Sequence, residues 1–179
     1  KMDFLGLRNL TVIHDCEEMV QKKYPGFKVG KIPLDDKDVY DMFSRGDTDG
    51  VFQFESSGMR QMLVQMKPRS IEDLTAATSI YRPGPSASIP TFIHNREHPE
   101  DIRFLDPKLE PILSPTGGCL LYQEQVIEIF RKLAGYSLGQ ADMVRRAMSK
   151  KKVKDIEKER GAFLHGDPAR GIAGCEANG

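Results

Sequence analysis

The 179-residue chain has no tryptophan and only three cysteines, and its 26 basic residues are balanced by 26 acidic ones. Cys16, Cys119 and Cys175 are odd in number and far apart, which excludes a disulfide framework and a CxxC metal knuckle. The charge balance excludes the globally basic character of many small DNA-binding domains. No apolar run approaches the roughly 20 residues that span a bilayer. These absences predict a cytoplasmic protein in a reducing compartment, without a membrane partner.

The charges are distributed unevenly along the chain. Between positions 35 and 55 there are seven acidic residues against two basic ones, whereas positions 131–160 carry ten basic residues against four acidic ones. A polyanionic ligand is therefore expected to bind the second stretch. The chain begins Lys1-Met2-Asp3-Phe4, which lacks the basic and apolar regions of a signal peptide, and we expect it to be part of a longer polypeptide.

Hydrophobic periodicity predicts a mainly α fold with a few short β-strands. Ser56 or Ser57 is expected to cap one helix, and Ser137 with Gln140 forms the S-x-x-Q capping signature of another. The predicted helices cover residues 7–23, 35–44, 57–66, 70–81, 107–113, 123–133, 138–150 and 153–165. A short strand is expected at 2–5, a strand or an extended segment at 50–54, a short extended segment at 118–122, and a loop or a frayed end at 166–179.

The helix predicted from residue 138 carries the most informative polar face. Helical spacing brings Arg145, Arg146, Lys150 and Lys151 together near its carboxyl end. Two interpretations remain open on this spacing alone. In the first, the basic residues complement the negative end of the helix dipole and form an ordinary solvated face. In the second, the two adjacent arginines each donate a pair of hydrogen bonds to the oxygens of a triphosphate.

Two other patterns have a plain and a functional interpretation. Asp3 lies two residues after Lys1 on one face of the predicted strand, which is most simply an ion pair, although an aspartate there could also be a metal ligand. The segment His94-Asn95-Arg96-Glu97-His98 fits the H-x-x-E-H pattern of inverted zincins. Prolines bracket that segment closely, which favours an exposed helix end over a zinc peptidase site.

Several stretches, taken together, resemble one family. They are KMDFLGLRN at 1–9, DTDGVFQFESSG at 47–58, YRPGP at 81–85, YQEQV at 122–126 and LAGYSLGQADMVRRAMSKKK at 133–152. In their order and spacing they resemble the alpha subunit of bacterial DNA polymerase III, a C-family replicative DNA polymerase. The resemblance implies that residues 1–8 are the end of a polymerase-beta-like palm domain and residues 9–165 a fingers domain.

The resemblance also implies roles for the candidate residues. Asp3 would be the third catalytic, Mg²⁺-binding aspartate, and the first two would lie upstream of this chain. Lys1 would contact the phosphates of the incoming nucleotide, Arg145 and Arg146 would clamp its triphosphate, and Lys150 and Lys151 would add phosphate contacts.

The implied function is DNA-templated DNA synthesis from deoxynucleoside triphosphates (dNTPs) on primer-template DNA. The implied partners are the sliding clamp, the proofreading exonuclease subunit and the clamp loader. The alternative is a nucleotide- or DNA-binding module without catalysis.

Overall fold

A computed structural model of the chain describes residue 2 and residues 4–175. The fold is mainly helical, and it divides into two units, Lys1–Thr75 and Ala76–Gly179. The α-helices of the described residues are α1 (Arg8–Gln21), α2 (Lys37–Arg45), α3 (Ser57–Met66), α4 (Ile71–Ile80), α5 (Ile89–Glu97), α6 (Glu110–Leu113), α7 (Gln123–Ala134), α8 (Leu138–Ser149) and α9 (Val153–His165). Short 3₁₀ turns connect several of them. None of the described helices is both long and apolar enough to cross a membrane.

The first unit is built around the packing of α2 against α3. The side chain of Ser56 caps α3 by accepting a hydrogen bond from the backbone N–H of Met59, as the sequence predicts. The methionines and Leu63 of α3 are buried, together with Phe43 of α2. Phe43 also meets Phe54 edge to face, with ring centroids 5.0 Å apart. The stretch at residues 35–55 thus contributes apolar side chains to the α2–α3 core, while none of its acidic residues is buried.

Helix α1 forms within the predicted range, but none of its residues is buried. Its carboxyl end is tied to the next segment through Glu17, whose carboxylate accepts hydrogen bonds from the backbone N–H of Val29 at 2.8 Å and from the Lys28 ammonium at 2.9 Å. These two bonds, led by that from Val29, lower the pKa of Glu17. Polar contacts, rather than apolar burial, therefore position the end of α1.

In the second unit α7, α8 and α9 pack against one another. Their common core consists of Ala134, Tyr136, Ala141, Val144, Ala162 and Ile172, with Ile127, Phe130 and Phe163 packed at its edge. Small alanines at the centre allow the helices to approach closely, and the aromatic rings fill the remaining space. The apolar stripe predicted for α8 is correct at Ala141 and Val144, whereas Leu138 and Met148 are exposed and Ala147 is buried instead.

The segment after α9 returns to this core as a hydrogen-bonded loop. Asp167 and Ile172 form an isolated antiparallel bridge, and Ile172 is only 2% exposed. Beyond it, the backbone N–H of Gly174 donates to the carbonyl of Ala134 at 3.1 Å. A Cβ atom on Gly174 would lie 2.4 Å from the backbone nitrogen of Gly166, so only glycine permits this close approach.

The prediction of short β-strands is wrong for the residues that the structure describes. No strand occurs at 50–54, where Thr48 Oγ1 donates to the carbonyl of Phe54 at 2.6 Å and closes a series of turns. At 118–122 the backbone N–H groups of Leu121 and Tyr122 both donate to the side-chain oxygen of Gln125 at 2.9 Å. In both segments side chains satisfy backbone groups that a neighbouring strand would otherwise have paired. The strand expected at 2–5 includes Asp3, which lies outside the described residues.

Candidate phosphate-binding site

Helix α8 begins where the sequence predicts and for the predicted reason. Ser137 Oγ accepts a hydrogen bond from the backbone N–H of Gln140 at 3.4 Å, and the side-chain oxygen of Gln140 accepts one from the backbone N–H of Ser137 at 2.9 Å. This reciprocal capping box satisfies two backbone donors and fixes the first turn. It therefore sets the rotational position of every later residue of α8, including the two arginines.

Asp142 brings Arg145 and Arg146 together. Its Oδ1 accepts hydrogen bonds from Arg145 Nε at 2.8 Å and from Nη2 at 2.7 Å, and its Oδ2 lies 2.8 Å from Arg146 Nε. Asp142 is three residues before one arginine and four before the other, so both guanidiniums reach it along the same side of the helix. One carboxylate thus bridges two adjacent cations and offsets their mutual repulsion.

The two arginines differ in their surroundings. The Arg145 side chain is 20% exposed and also donates from Nη1 to the side-chain oxygen of Gln123 on α7 at 2.7 Å. Arg146 is 66% exposed and faces the groove between α8 and α9. Arg145 is therefore held in place by α7 and α8, whereas the more exposed Arg146 pairs with Asp142 on its own helix.

The carboxyl end of α8 adds further cations. Lys150 caps the helix, with its backbone N–H donating to the carbonyl of Arg146 at 3.1 Å, and Lys151 follows in the left-handed conformation at φ +51°. Lys150, Arg146 and the unpredicted Lys152 line a cleft of about 230 Å³. Lys151 is exposed in the turn. Arg145 and Arg146 thus lie on α8, and Lys150 and Lys151 directly follow it. Of these four candidate residues, Arg146 and Lys150 line the cleft.

The hydrogen bond from Arg145, assisted by the charges of both arginines, lowers the pKa of Asp142 against the opposing effect of burial. Asp142 is therefore ionised at neutral pH and partly neutralises the pair. An anion carrying several charges can outcompete a single carboxylate for the two guanidiniums, since each guanidinium can present two parallel N–H donors to phosphate oxygens. The arrangement is chemically suited to bind phosphate groups.

Lys1 and Asp3, the candidates for nucleotide contact and metal binding, lie outside the described residues. Among residue 2 and residues 4–175, no group of three or more histidine, cysteine, aspartate or glutamate side chains is placed to hold a metal ion. In the H-x-x-E-H segment, His94 Nε2 lies 2.9 Å from Asp101 Oδ2, and His98 Nδ1 lies 3.5 Å from Glu100. Both histidines thus pair with exposed carboxylates on the protein surface.

Sequence reasoning missed two contacts of the site. The role of Asp142 could have been read from its spacing, because positions i+3 and i+4 lie on one helix face. The contact between Arg145 and Gln123 joins residues 22 positions apart, in the motifs at 122–126 and 133–152. No pattern within either motif predicts this contact. Only the packing of α7 against α8 brings the two motifs together.

The structure is thus a helical domain in which one helix ends in a cluster of cationic side chains. A domain of this class can bind a ligand that carries phosphate groups. Residues 9–171 match the family model described as the bacterial DNA polymerase III alpha subunit finger domain, and the chain belongs to that family. It is 47% identical over 172 residues to the DNA polymerase III subunit alpha of Staphylococcus aureus strain MRSA252. It is 48% identical over 167 residues to that of Staphylococcus epidermidis strain ATCC 12228. These alignments cover 96% and 93% of this chain but 16% of each relative.

Proposed function

We propose that this chain binds the triphosphate of an incoming dNTP through Arg145 and Arg146, as the fingers part of a bacterial replicative DNA polymerase subunit. The observation that carries the proposal is the bridging of the two guanidiniums by Asp142, with hydrogen-bond and ion-pair distances of 2.7–2.8 Å. A triphosphate would replace this single carboxylate with several anionic oxygens. Lys150 and Lys151 would add phosphate contacts at the same helix end.

The two arginines would divide the task. Arg145, held by Gln123 and Asp142, is the pre-oriented donor, because little side-chain freedom remains to be lost when a ligand binds. Arg146, which is mostly exposed, would move onto the ligand. In a polymerase these cations would neutralise the charge that develops on the phosphates during nucleotidyl transfer.

For the complete subunit we propose DNA-templated DNA synthesis during chromosome replication. Residues 1–8 would be the end of the palm, with Asp3 as one ligand of catalytic Mg²⁺ and Lys1 contacting nucleotide phosphates. Primer-template DNA and dNTPs would be its substrates, and the sliding clamp, the proofreading exonuclease subunit and the clamp loader its partners. This extension rests on family membership and on the relatives named DNA polymerase III subunit alpha.

For the 179-residue chain alone, we propose nucleotide binding without catalysis. Phosphoryl transfer with two metal ions needs several carboxylates around the ions, and Asp3 alone cannot hold both. The chain spans 16% of the length of its curated relatives, so the remaining catalytic groups of such a subunit would come from other segments.

The test is titration of the 179-residue chain with dATP and Mg²⁺, comparing wild type with an Arg145→Ala, Arg146→Ala double variant by calorimetry. Loss of charge-assisted hydrogen bonds worth about 1.5–3 kcal/mol each should weaken binding by at least about tenfold. The matched control removes two exposed arginines from other helices, as Arg131→Ala, Arg160→Ala. Equal weakening by both double variants, or no nucleotide binding by the wild-type chain, would contradict the proposal.

A further inference from the structure

A buried polar cluster lies at the start of α7, between that helix and the loop before it. Gln125 is only 7% exposed, and Thr116 is fully buried. The amide nitrogen of Gln125 donates to Thr116 Oγ1 at 2.7 Å and to the carbonyl of Ile112 at 3.0 Å. Its amide oxygen accepts from the backbone N–H groups of Leu121 and Tyr122, each at 2.9 Å. All four hydrogen-bonding positions of the Gln125 side chain are therefore used.

Only glutamine can make this set of bonds at position 125. A glutamate side chain lacks the two donors when it is ionised, and an apolar side chain of similar volume lacks all four groups. A fully satisfied polar cluster in a protein interior permits one arrangement of the segments that it joins, because any other arrangement leaves a buried donor or acceptor unpaired. The cluster is thus suited to fixing the geometry of the first turn of α7.

The loop side of the cluster is itself anchored. Thr116 Oγ1, which accepts the bond from Gln125, lies 2.6 Å from the carbonyl oxygen of Cys119. Asn95 on α5 donates from its side-chain nitrogen to the carbonyl of Gly117 at 2.6 Å. Asn95, within the H-x-x-E-H segment, thus ties this loop to α5. Gln125 therefore holds α7 against a loop that is fixed on its other side.

The helix side of the cluster leads to the proposed nucleotide site. Tyr122, whose N–H is held by Gln125, is the residue from which α7 starts, and Gln123 is the first residue of the helix. The side-chain oxygen of Gln123 accepts the hydrogen bond from Arg145 Nη1 at 2.7 Å. Since a helix turns by about 100° per residue, even a small rotation of the first turn would carry Gln123 away from Arg145. The geometry that Gln125 fixes is therefore the geometry on which the Arg145 contact depends.

We infer that Gln125 is a positioning residue of the nucleotide site: through the first turn of α7 it holds Gln123 against Arg145, and so keeps the Arg145 guanidinium oriented for phosphate. Gln125 itself contacts no nucleotide. The inference rests on the proposed function, because it requires that Arg145 binds the triphosphate. A cluster that served stability alone would leave Arg145 unaffected in any variant that folds.

The first measurement follows the Nε–H signal of Arg145 by NMR in the 179-residue chain, for wild type, Gln125→Met and Gln123→Ala. Methionine keeps much of the volume of glutamine and removes the four hydrogen bonds of its side chain. Both variants should shift the Arg145 signal and speed its exchange with water, because in each the guanidinium loses the bond to Gln123. The Nε–H signal of Arg131, on the same helix but paired with Glu128, should not change.

The second measurement is calorimetric titration with dATP and Mg²⁺, arranged as a double-variant cycle. Gln125→Met and Gln123→Ala should each weaken binding by about five- to tenfold, the effect of losing one hydrogen bond that supports a charged group. In the Gln123→Ala background, Gln125→Met should weaken binding by less than about twofold further, because the two residues act through the same contact.

Thr116→Val is a milder variant of the same cluster, and it retains the test if Gln125→Met fails to fold. It removes the acceptor of one bond from Gln125. It should shift the Arg145 signal and weaken dATP binding by about two- to threefold, with unchanged helical circular dichroism. The matched control is Gln65→Met, at an exposed glutamine of α3 in the first unit, which should bind dATP within about twofold of wild type.

Three outcomes would overturn the inference: an Arg145 signal unchanged in Gln125→Met and Thr116→Val, dATP affinity in both that matches the control, or losses that multiply in the double variant. Any of these, alongside dATP binding that the Arg145, Arg146 double variant abolishes, would remove the positioning role and leave the proposed function standing. No dATP binding by the wild-type chain would remove both.

Discussion

The bidentate pair between Arg170 and Glu159 should be a main support of the second unit, and Arg170→Met tests this directly. The pair is partly buried, with 32% and 18% of the two side chains exposed, and Glu159 also pairs with Tyr136. Methionine keeps much of the side-chain volume but leaves the Glu159 carboxylate without its guanidinium. Charge-assisted hydrogen bonds contribute about 1.5–3 kcal/mol, so we expect the free energy of unfolding to fall by about 2 kcal/mol.

Urea unfolding followed by circular dichroism measures how far the free energy of unfolding falls. With a denaturant dependence of about 2 kcal/mol per molar, the midpoint should move down by about 1 M. Hydrogen exchange shows which part of the chain is destabilised. The backbone N–H groups of Gly174 and Cys175, which donate to Ala134 and Phe163, should exchange faster, while those of α3 in the first unit should not change.

The control is Arg131→Met, the same substitution in an exposed pair. Arg131 lies 2.6 Å from Glu128, but the two side chains are 42% and 36% exposed, and such pairs contribute less than about 1 kcal/mol. Equal losses of stability in the two variants would refute the reasoning, because burial and bidentate geometry would then add nothing to the stabilisation that an exposed ion pair provides. Faster exchange in α3 to the same degree would also contradict a local role.

Two further predictions concern the frame around α8. Burial, helped by the hydrogen bond to Glu159, raises the pKa of Tyr136 above its ordinary value of 10.0. The stability that the protonated Tyr136 hydroxyl contributes is therefore fully present below about pH 10. It is lost as the pH rises further, since the unfolded chain then releases a proton that the folded chain retains. Tyr136→Phe should lower the urea midpoint at about pH 8 and lose less on going to about pH 11 than wild type does. Ser137→Ala removes the hydroxyl that caps α8 and should cost about 1 kcal/mol in the same assay, whereas Ser137→Thr keeps the acceptor and should stay near wild type.

Local pattern predicted most of the described helices, because their signals lie within a few residues of one another, but it did not predict α5. The capping box of α8 and the cap of α3 are each made by a side chain and a backbone group three residues apart. The strand considered at 50–54 does not form, because a strand requires a partner. The Thr48 side chain instead donates to the carbonyl of Phe54, and the Gln125 side chain accepts from N–H groups of the segment at 118–122. The aromatic and β-branched residues at 51–54 give no warning of this.

The sequence by itself determined the helical class of the chain and the placing of Arg145, Arg146 and Lys150 toward the end of one helix, because spacing along a single helix fixes both, whereas Lys151 lies in the turn that follows. Only the tertiary structure decided how these cations are used. Packing of α7 on α8 brings Gln123 to Arg145, and the loop after α9 brings the carbonyl of Arg170 to the side-chain amide of Gln140 on α8. Those contacts join residues 22 and 30 positions apart, beyond the reach of any helical repeat, and they depend on an apolar core that α7, α8 and α9 share.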